Sequence, residues 1–418
     1  MALTRDTAPA LDPAAPAPHA RSWSAQLGVL WSGQCLTVLG SAFVMPFLPL
    51  MVENSGVHGG AIALWSGALM TCTQGGMALF SPIWGRVADR TGRKPMLVRA
   101  MLGAGLTSMA IGIAPNVEVM LVLFFVRGSL AGINAAGAAL VTTMAPADRV
   151  AHSLGVLQSS LYIGSTMGPA IGAVLVPAAG IRLSFVIAGS VQFAAGFVVA
   201  RFVEERFVRE DAVVRQARVR GRAGLREAGV LGTVGLLLMM GLLAQAIASG
   251  MGASLPLRVR ALASPGHVAV AVGIVATMQA SASAVSALML GRVGRRAGYG
   301  RVLVASTVWA MLVFAALVFV PSLVGVALLA SAAGFALGAF VPAVNTLLGM
   351  ASPAAMRAEV FGYSGTAFAI GGLVAPITAT SLIAGFGTTA PFVLLAALEL
   401  VVAVWAVRSL RRLAEYGR

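Results

Sequence analysis

The sequence predicts an all-α integral membrane protein, with twelve transmembrane helices in two parallel six-helix repeats and both termini cytoplasmic. Three observations carry that expectation. First, 58% of the 418 residues are apolar and only 10% are charged, whereas a soluble domain covers itself with about 25% charged residues. Second, apolar runs of about 20 residues, the length that crosses a bilayer, recur along the whole chain. Third, the basic residues fall in alternate loops between those runs. The first observation excludes a water-soluble enzyme and a disordered chain. The third excludes nucleic acid as a partner, because the net charge of +15 is scattered as punctuation and not gathered on one face.

The expected spans cover 25–52, 63–84, 95–114, 119–144, 153–178 and 183–203, then 229–256, 267–290, 301–320, 323–350, 359–384 and 391–408. Residues 1–24, rich in Ala and Pro, are expected to form a disordered cytoplasmic tail and not a cleaved signal, because the first apolar run is full length. An N-terminal six-helix bundle (25–203) is joined by a cytoplasmic linker (204–228) to a C-terminal bundle (229–412), and 413–418 form a short cytoplasmic tail. Cys35 and Cys72 lie inside apolar runs, so neither a disulfide framework nor a zinc site is expected. Lys94 is the sole lysine and follows Arg93, so there is no glycine-rich loop ending in Gly-Lys and no nucleotide is expected.

All of the 29 basic residues except Arg127, Arg182, Arg258 and Arg260 fall in the tails or alternate loops. By the positive-inside rule those segments face the cytoplasm. The expected location is the plasma membrane of a bacterial-type cell, with several passes.

Displaced by 206 or 207 residues, the sequence matches itself. Phe47-Leu48-Pro49-Leu50 falls on Ser254-Leu255-Pro256-Leu257, and Gly85 on Gly291. Gly128 and Gly132 fall on Gly334 and Gly338; Gly155, Ile163-Gly164 and Pro169 fall on Gly362, Ile370-Gly371 and Pro376. A constant offset of half the length indicates duplication. Six spans per copy set both copies the same way up, and transporters built so hold substrate near the midplane between the halves.

Residues 85–97, GRVADRTGRKPML, carry the sharpest local signal. Gly85 and Gly92 permit a tight turn. Asp89 is expected near the start of the third span, where a helix N-terminus favours an anion. Arg86, Arg90, Arg93 and Lys94 can meet helix ends and lipid phosphates, and a charged latch made in one state and broken in the other is a gating device. The stretch resembles motif A of the major facilitator superfamily, with Val87 in place of the usual leucine. The second copy keeps the glycines but has Arg295 for the acid. The resemblance therefore implies that gating rests on Gly85, Asp89, Arg90, Gly92, Arg93 and Lys94.

Residues 164–173, GSTMGPAIGA, resemble motif C of the twelve-span drug:proton antiporter family, with Ala173 for the last glycine. Gly164, Gly168 and Gly172 line one helical face and allow close approach, while Pro169 removes a helix hydrogen bond. Met45 to Leu50, Trp65-Ser66-Gly67 and Val341 to Val344 resemble the MdtG-type multidrug-resistance branch. Arg127 resembles the motif B arginine that the family associates with proton coupling, although Leu130 and Ala131 replace the usual Gln and Gly. An arginine at a helix centre costs about 2.5–3.5 kcal/mol on insertion, so a cavity or a partner is expected for it. Most of the 14 acids lie in tails, loops or span ends. The exception is Glu399, about 12 Å into span twelve at 1.5 Å per residue. Arg127 and Glu399 are the coupling candidates.

Gln34, Gln74, Asn134, Gln158, Tyr162, Gln245, Gln279, Asn345 and Tyr363 are the expected cavity polars, in spans that line the cavity in this family. The cavity they outline is apolar and nearly uncharged, which suits a bulky lipophilic substrate. The expected function is secondary transport: proton-coupled efflux of lipophilic drug-like compounds by alternating access. The proton gradient is the energy source, with no cofactor and no metal, and a monomer in the bilayer suffices. A transporter of the same family for a specific metabolite, with different coupling, is the alternative. A polytopic membrane enzyme or a sensor is more remote, since His19, His58, His152 and His267 are scattered and form no site.

Overall fold

The computed structural model describes residues 23–146, 148–205, 231–352 and 357–415. The expected tail up to residue 22, the linker from 206 on and residues 416–418 lie outside the described residues. So do the side chains of Asp89, Ala151, Leu231, 357–359 and 410–415. The rest is helical almost throughout: α1 (Trp23–Asn54), α2 (Ala61–Thr91), α3 (Arg93–Gly112), α4 (Val117–Ser129), α5 (Ile133–Met144), α6 (Val150–Ala179) and α7 (Ile181–Phe202). Then follow α8 (Leu231–Leu262), α9 (Val268–Ala297), α10 (Tyr299–Phe319), α11 (Leu323–Ala351), α12 (Arg357–Phe386) and α13 (Ala390–Glu415).

Among the described residues, eleven segments are long and apolar enough to cross a membrane. The other expected span, 63–84, lies in α2, where Thr71, Thr73, Gln74 and paired glycines dilute the apolar character. Two helix starts among the described residues are capped by the side chain of their own N-cap residue. Asn116 accepts from Val119 N at 3.0 Å and Ser322 from Gly325 N at 3.1 Å, each satisfying an orphan backbone donor.

The fourth expected span, 119–144, departs from a single helix. It breaks between Ser129 and Ile133, where Gly132 adopts φ +131°. The carbonyls freed at Leu130 and Ala131 accept from Arg99 Nη2 at 3.4 and 3.0 Å. Arg99 itself stacks on Trp84 at 3.8 Å. Irregular backbone at membrane depth persists only where such partners satisfy it.

In the first half α1 packs on α6 and α7, α3 on α7, and α2 on α4. In the second half α8 packs on α12 and α13, α10 on α13, and α9 on α11. The halves meet along two seams, α2 with α12 and α6 with α9, helped by α1 against α8. Seam contacts run from mid-depth to the far end, away from where α1 begins. Thr71 Oγ1 donates to Leu373 O at 3.1 Å. Gly67 lies so close to Thr380, and Gly273 to Pro169 and Ala173, that a methyl group on either glycine would overlap its neighbour. At the near end the helices part: a methyl on Gly85, Gly155, Gly362 or Gly365 would meet nothing within 4 Å. A cleft between the halves therefore opens at the near end and is shut at the far end.

Candidate functional site

Midway along the first seam, α2, α8 and α12 bring Gln74, Gln245, Ser249 and Gly372 together. Gln245 Nε2 donates to Ser249 Oγ at 3.2 Å, and the Gln74 amide lies against Gly372 where no side chain fits. Nearby on α9, Gln279 Nε2 donates to Met251 Sδ at 3.5 Å. Gln74 and Gln245 thus share a neutral region with a hydroxyl, and Gln279 meets a thioether where α9 approaches α8. On α6, Gln158 and Tyr162 follow the helical stripe that carries Pro169 and Ala173, and that stripe meets α9. Both side chains therefore face the cleft, while Asn134, on α5, is exposed.

Three predicted cavity residues are placed elsewhere. Gln34 is only 1% exposed, packed against Gly137 inside the first half, with Oε1 unpartnered. Asn345 accepts from Ser364 Oγ at 3.5 Å within the second half. Tyr363 shares a stripe with Ile370 and Val374, which are 48% and 55% exposed on a face turned away from the Leu373, Pro376 and Thr380 contacts with α2. Helical phase, which a list of polar residues ignores, accounts for both Gln34 and Tyr363.

Arg127 does not face the cleft. It is 7% exposed and enters a polar network inside the first half. Nη1 donates to Ala104 O at 3.2 Å and to Ser108 Oγ, and Nη2 donates to Ser41 Oγ at 3.0 Å. Ser108 Oγ donates to Gln192 Oε1 at 2.9 Å. Gln192 Nε2 donates to Thr37 O at 2.9 Å and Ser41 Oγ at 3.1 Å. One guanidinium and one amide thereby tie α1, α3, α4 and α7. The insertion cost of the charge is met by neutral oxygens. Glu399 lies in the other half, on α13, which packs on α10 and α8. It is 1% exposed and its Oε2 has no hydrogen-bond partner.

The turn after α2 corrects two expectations. Gly85 is inside α2, not in a loop, because that helix continues to Thr91. Its backbone carries Asp89 and Arg90 in its last turn, and the Asp89 side chain lies outside the described ones. The turn rests on Gly92 alone, at φ +100° and ψ 173°, a region open in practice only to glycine. The anion at the start of α3 is Glu205: its Oε1 accepts from Arg93 N at 2.7 Å and its Oε2 from Lys94 N at 2.8 Å. Two orphan donors and the positive helix end are met at once. Arg93 Nη1 donates to Ala88 O at 3.0 Å, closing the turn from the other side.

The motif C glycines seat α6 on α1. Gly164 faces Cys35 and Leu39, Gly168 faces Leu39 and Phe43, and Gly172 faces Phe47. Between those rows, the Pro169 carbonyl and Ala173 turn to Gly273 of α9, so one helix serves the first half's core and the seam together. Sequence reasoning missed Glu205, Gln192 and Ser249. An acid just past the end of an apolar span is the signal for Glu205; the other two are ordinary polar residues whose roles depend on neighbours distant in sequence.

The sequence matches the Major Facilitator Superfamily over residues 30–271 and 267–416. Multidrug resistance protein MdtG of Enterobacter lignolyticus is 33% identical over 393 residues, which is 94% of this chain and 93% of that protein. The protein of the same name from Escherichia coli is 32% identical over 393 residues, 94% of this chain and 96% of its own. Among solved structures, a bacterial homologue of the human lysosomal transporter Spinster, inward-facing and unoccupied, superimposes with a TM-score of 0.72 at 15% identity, covering 95% of this chain and 98% of that one. A D-xylose-proton symporter gives 0.74 at 15% identity, covering 92% and 97%. The chain belongs to the Major Facilitator Superfamily, a family of secondary transporters.

Proposed function

We propose that the chain exports lipophilic, drug-like compounds across a bacterial cytoplasmic membrane by proton-coupled alternating access. The observation that carries this reading is the neutral seam. Its mid-depth groups are amides, a hydroxyl and a thioether, which suit varied apolar ligands and lack the charged clamps that a phosphate or organic acid requires. The similarity to multidrug resistance proteins over 94% of the chain supports the same substrate class.

The helix pairing supports two parallel repeats. Displacement by 206 or 207 residues carries the pairs α1–α6, α1–α7, α3–α7 and α2–α4 onto α8–α12, α8–α13, α10–α13 and α9–α11, and it exchanges the two seams. The arginine distribution supports cytoplasmic termini, so the cleft faces the cytoplasm and the closed far end faces outward. In that orientation, substrate enters from inside. Glu399 is the candidate proton carrier, while Arg127 holds together the half that moves as a body. The motif A turn, pinned by Glu205, gates the cytoplasmic side. The proton gradient supplies the energy without cofactor, metal or nucleotide, and a monomer surrounded by lipid contains the whole path.

Purified protein in proteoliposomes should move ethidium or Hoechst dye against its gradient under an imposed pH difference, and a protonophore should stop it. Failure across a panel of lipophilic cations and neutral drugs removes this reading and leaves a specific metabolite with different coupling.

A further inference from the structure

At the far end α1 and α8 carry one six-residue pattern in one register. Leu48-Pro49-Leu50-Met51-Val52-Glu53 and Leu255-Pro256-Leu257-Arg258-Val259-Arg260 stand 207 residues apart. The Leu, Pro, Leu and Val positions agree, and the last position carries opposite charges. Those two side chains meet. Arg260 Nη2 donates to Glu53 Oε1 at 2.6 Å and Arg260 Nε to Oε2 at 3.0 Å, a two-point guanidinium–carboxylate pairing.

Equivalent positions of a two-fold repeat can touch only where the repeat axis passes between them. The pair therefore sits on the axis about which the halves must rock, at the end that is shut. Identical residues there would set like charges face to face, and divergence at this one position turns repulsion into a bridge. The neighbouring arginines are engaged elsewhere. Arg182 donates to Asn54 Oδ1 at 2.9 Å and Ala114 O at 2.6 Å, while Arg258 donates to Thr388 Oγ1 at 3.0 Å and Val320 O at 2.9 Å. One to two turns deeper, Met45, Pro46, Pro256, Val259 and Gln279 line a cavity of about 90 Å³ between the halves. The side chains of Arg260 and Glu53 remain 31% and 37% exposed, so water can replace the pairing when the halves part.

We infer that Glu53 and Arg260 form the external latch of the transport cycle, made while the cleft is open on the side of the termini and broken when the far end opens. The inference rests on the alternating-access reading and adds the residues that close its outer side. In a Cys35→Ser, Cys72→Ser background, Met45→Cys reports whether the small cavity is open to the outside, through a membrane-impermeant maleimide added to right-side-out vesicles. With the latch intact, labelling should be slow. Glu53→Arg or Arg260→Glu should speed it about tenfold, the shift that opposed like charges give to a two-state equilibrium, and Glu53→Gln by about threefold. The double reversal Glu53→Arg with Arg260→Glu should return labelling to the slow rate and restore the dye transport that the single reversals lose. The neutral Glu53→Gln keeps the test open should a reversal fail to insert. Equal labelling in all variants, or a double reversal as fast as the singles, overturns the latch even where dye transport is intact. A labelling shift without dye movement in the parent keeps the latch and removes the drug reading instead.

Discussion

The two halves build the same helix packing from opposite core chemistry. In the first half Thr37, Ser41, Ser108, Arg127 and Gln192 form one buried network. The residues 206 or 207 positions on are Ala244, Ala248, Phe314, Ala333 and Glu399. The guanidinium and the small hydroxyl residue of one half are replaced by a methyl and a phenyl ring in the other, so large and small have changed places while the helices kept their partners. Around these sites the apolar positions hold: Phe185 and Phe392 are both fully buried, as are Leu97 and Leu303. Small and apolar residues therefore set which helices pair, and the polar network is an addition within one half. In the other half a single carboxyl, Glu399, stands where the network's amide would be.

The largest effect is expected where the network is cut at its hub. Arg127→Ala leaves Ser108 and the Ala104 carbonyl without their donor and Ser41 with Gln192 alone, and should cost about 3–5 kcal/mol through orphaned buried acceptors and the cavity left behind. Thermal unfolding in detergent should show it, with dye transport lost. Adding Ser108→Phe imports the second half's solution and should recover part of the stability but no transport. An Arg127→Ala variant as stable as the parent would break the comparison, because the first half would then stand on apolar packing alone.

The turns give the next contrast. Gly92 and Gly298 both follow the near end of a span, at φ +100° and +88°. A methyl on Gly298 meets open space, whereas one on Gly92 strikes the Glu205 carboxylate. Either alanine should cost about 1–3 kcal/mol in backbone strain. Gly92→Ala should lose about 1 kcal/mol more through displacement of the helix-capping anion, and it alone should slow transport. Equal effects would mean that Glu205 caps α3 without serving the gate.

The elements were largely legible in the sequence and the contacts were not. A 20-residue apolar run is a local property, so each expected span falls on helix; α2, α8, α9 and α13 run six or seven residues past the expected ends, and α2 stops only at Gly92, where φ turns positive. The break at Gly132 was invisible, since it depends on Arg99 arriving from α3 to satisfy the freed carbonyls. Arg127 was recognisable as a residue needing partners, but its partners are neutral and come from α1 and α3. Asp89 drew attention through its motif, while the anion that caps α3 comes from Glu205, more than a hundred residues away in sequence. The offset of 207 aligns Glu53 with Arg260, three residues past Leu50, so that pair is legible in the repeat itself.

The smallest effects test a fully buried position at which both halves carry a long polar side chain. Gln192 and Glu399 differ by an amide for a carboxyl, so the reciprocal substitutions change almost no volume. Gln192→Glu removes the donor to Thr37 O and Ser41 Oγ and should cost about 1–2 kcal/mol. Glu399→Gln has no hydrogen bond at Oε2 to lose, and should move stability by less than about 1 kcal/mol. The comparison becomes sharp when transport is measured beside stability. A Glu399→Gln protein that is as stable as the parent but carries dye only down its gradient assigns the proton to that carboxyl. If coupled transport persists in that variant, Glu399 is a packed residue of an otherwise apolar core, and the proton must be carried on the side of the cleft that the first half forms.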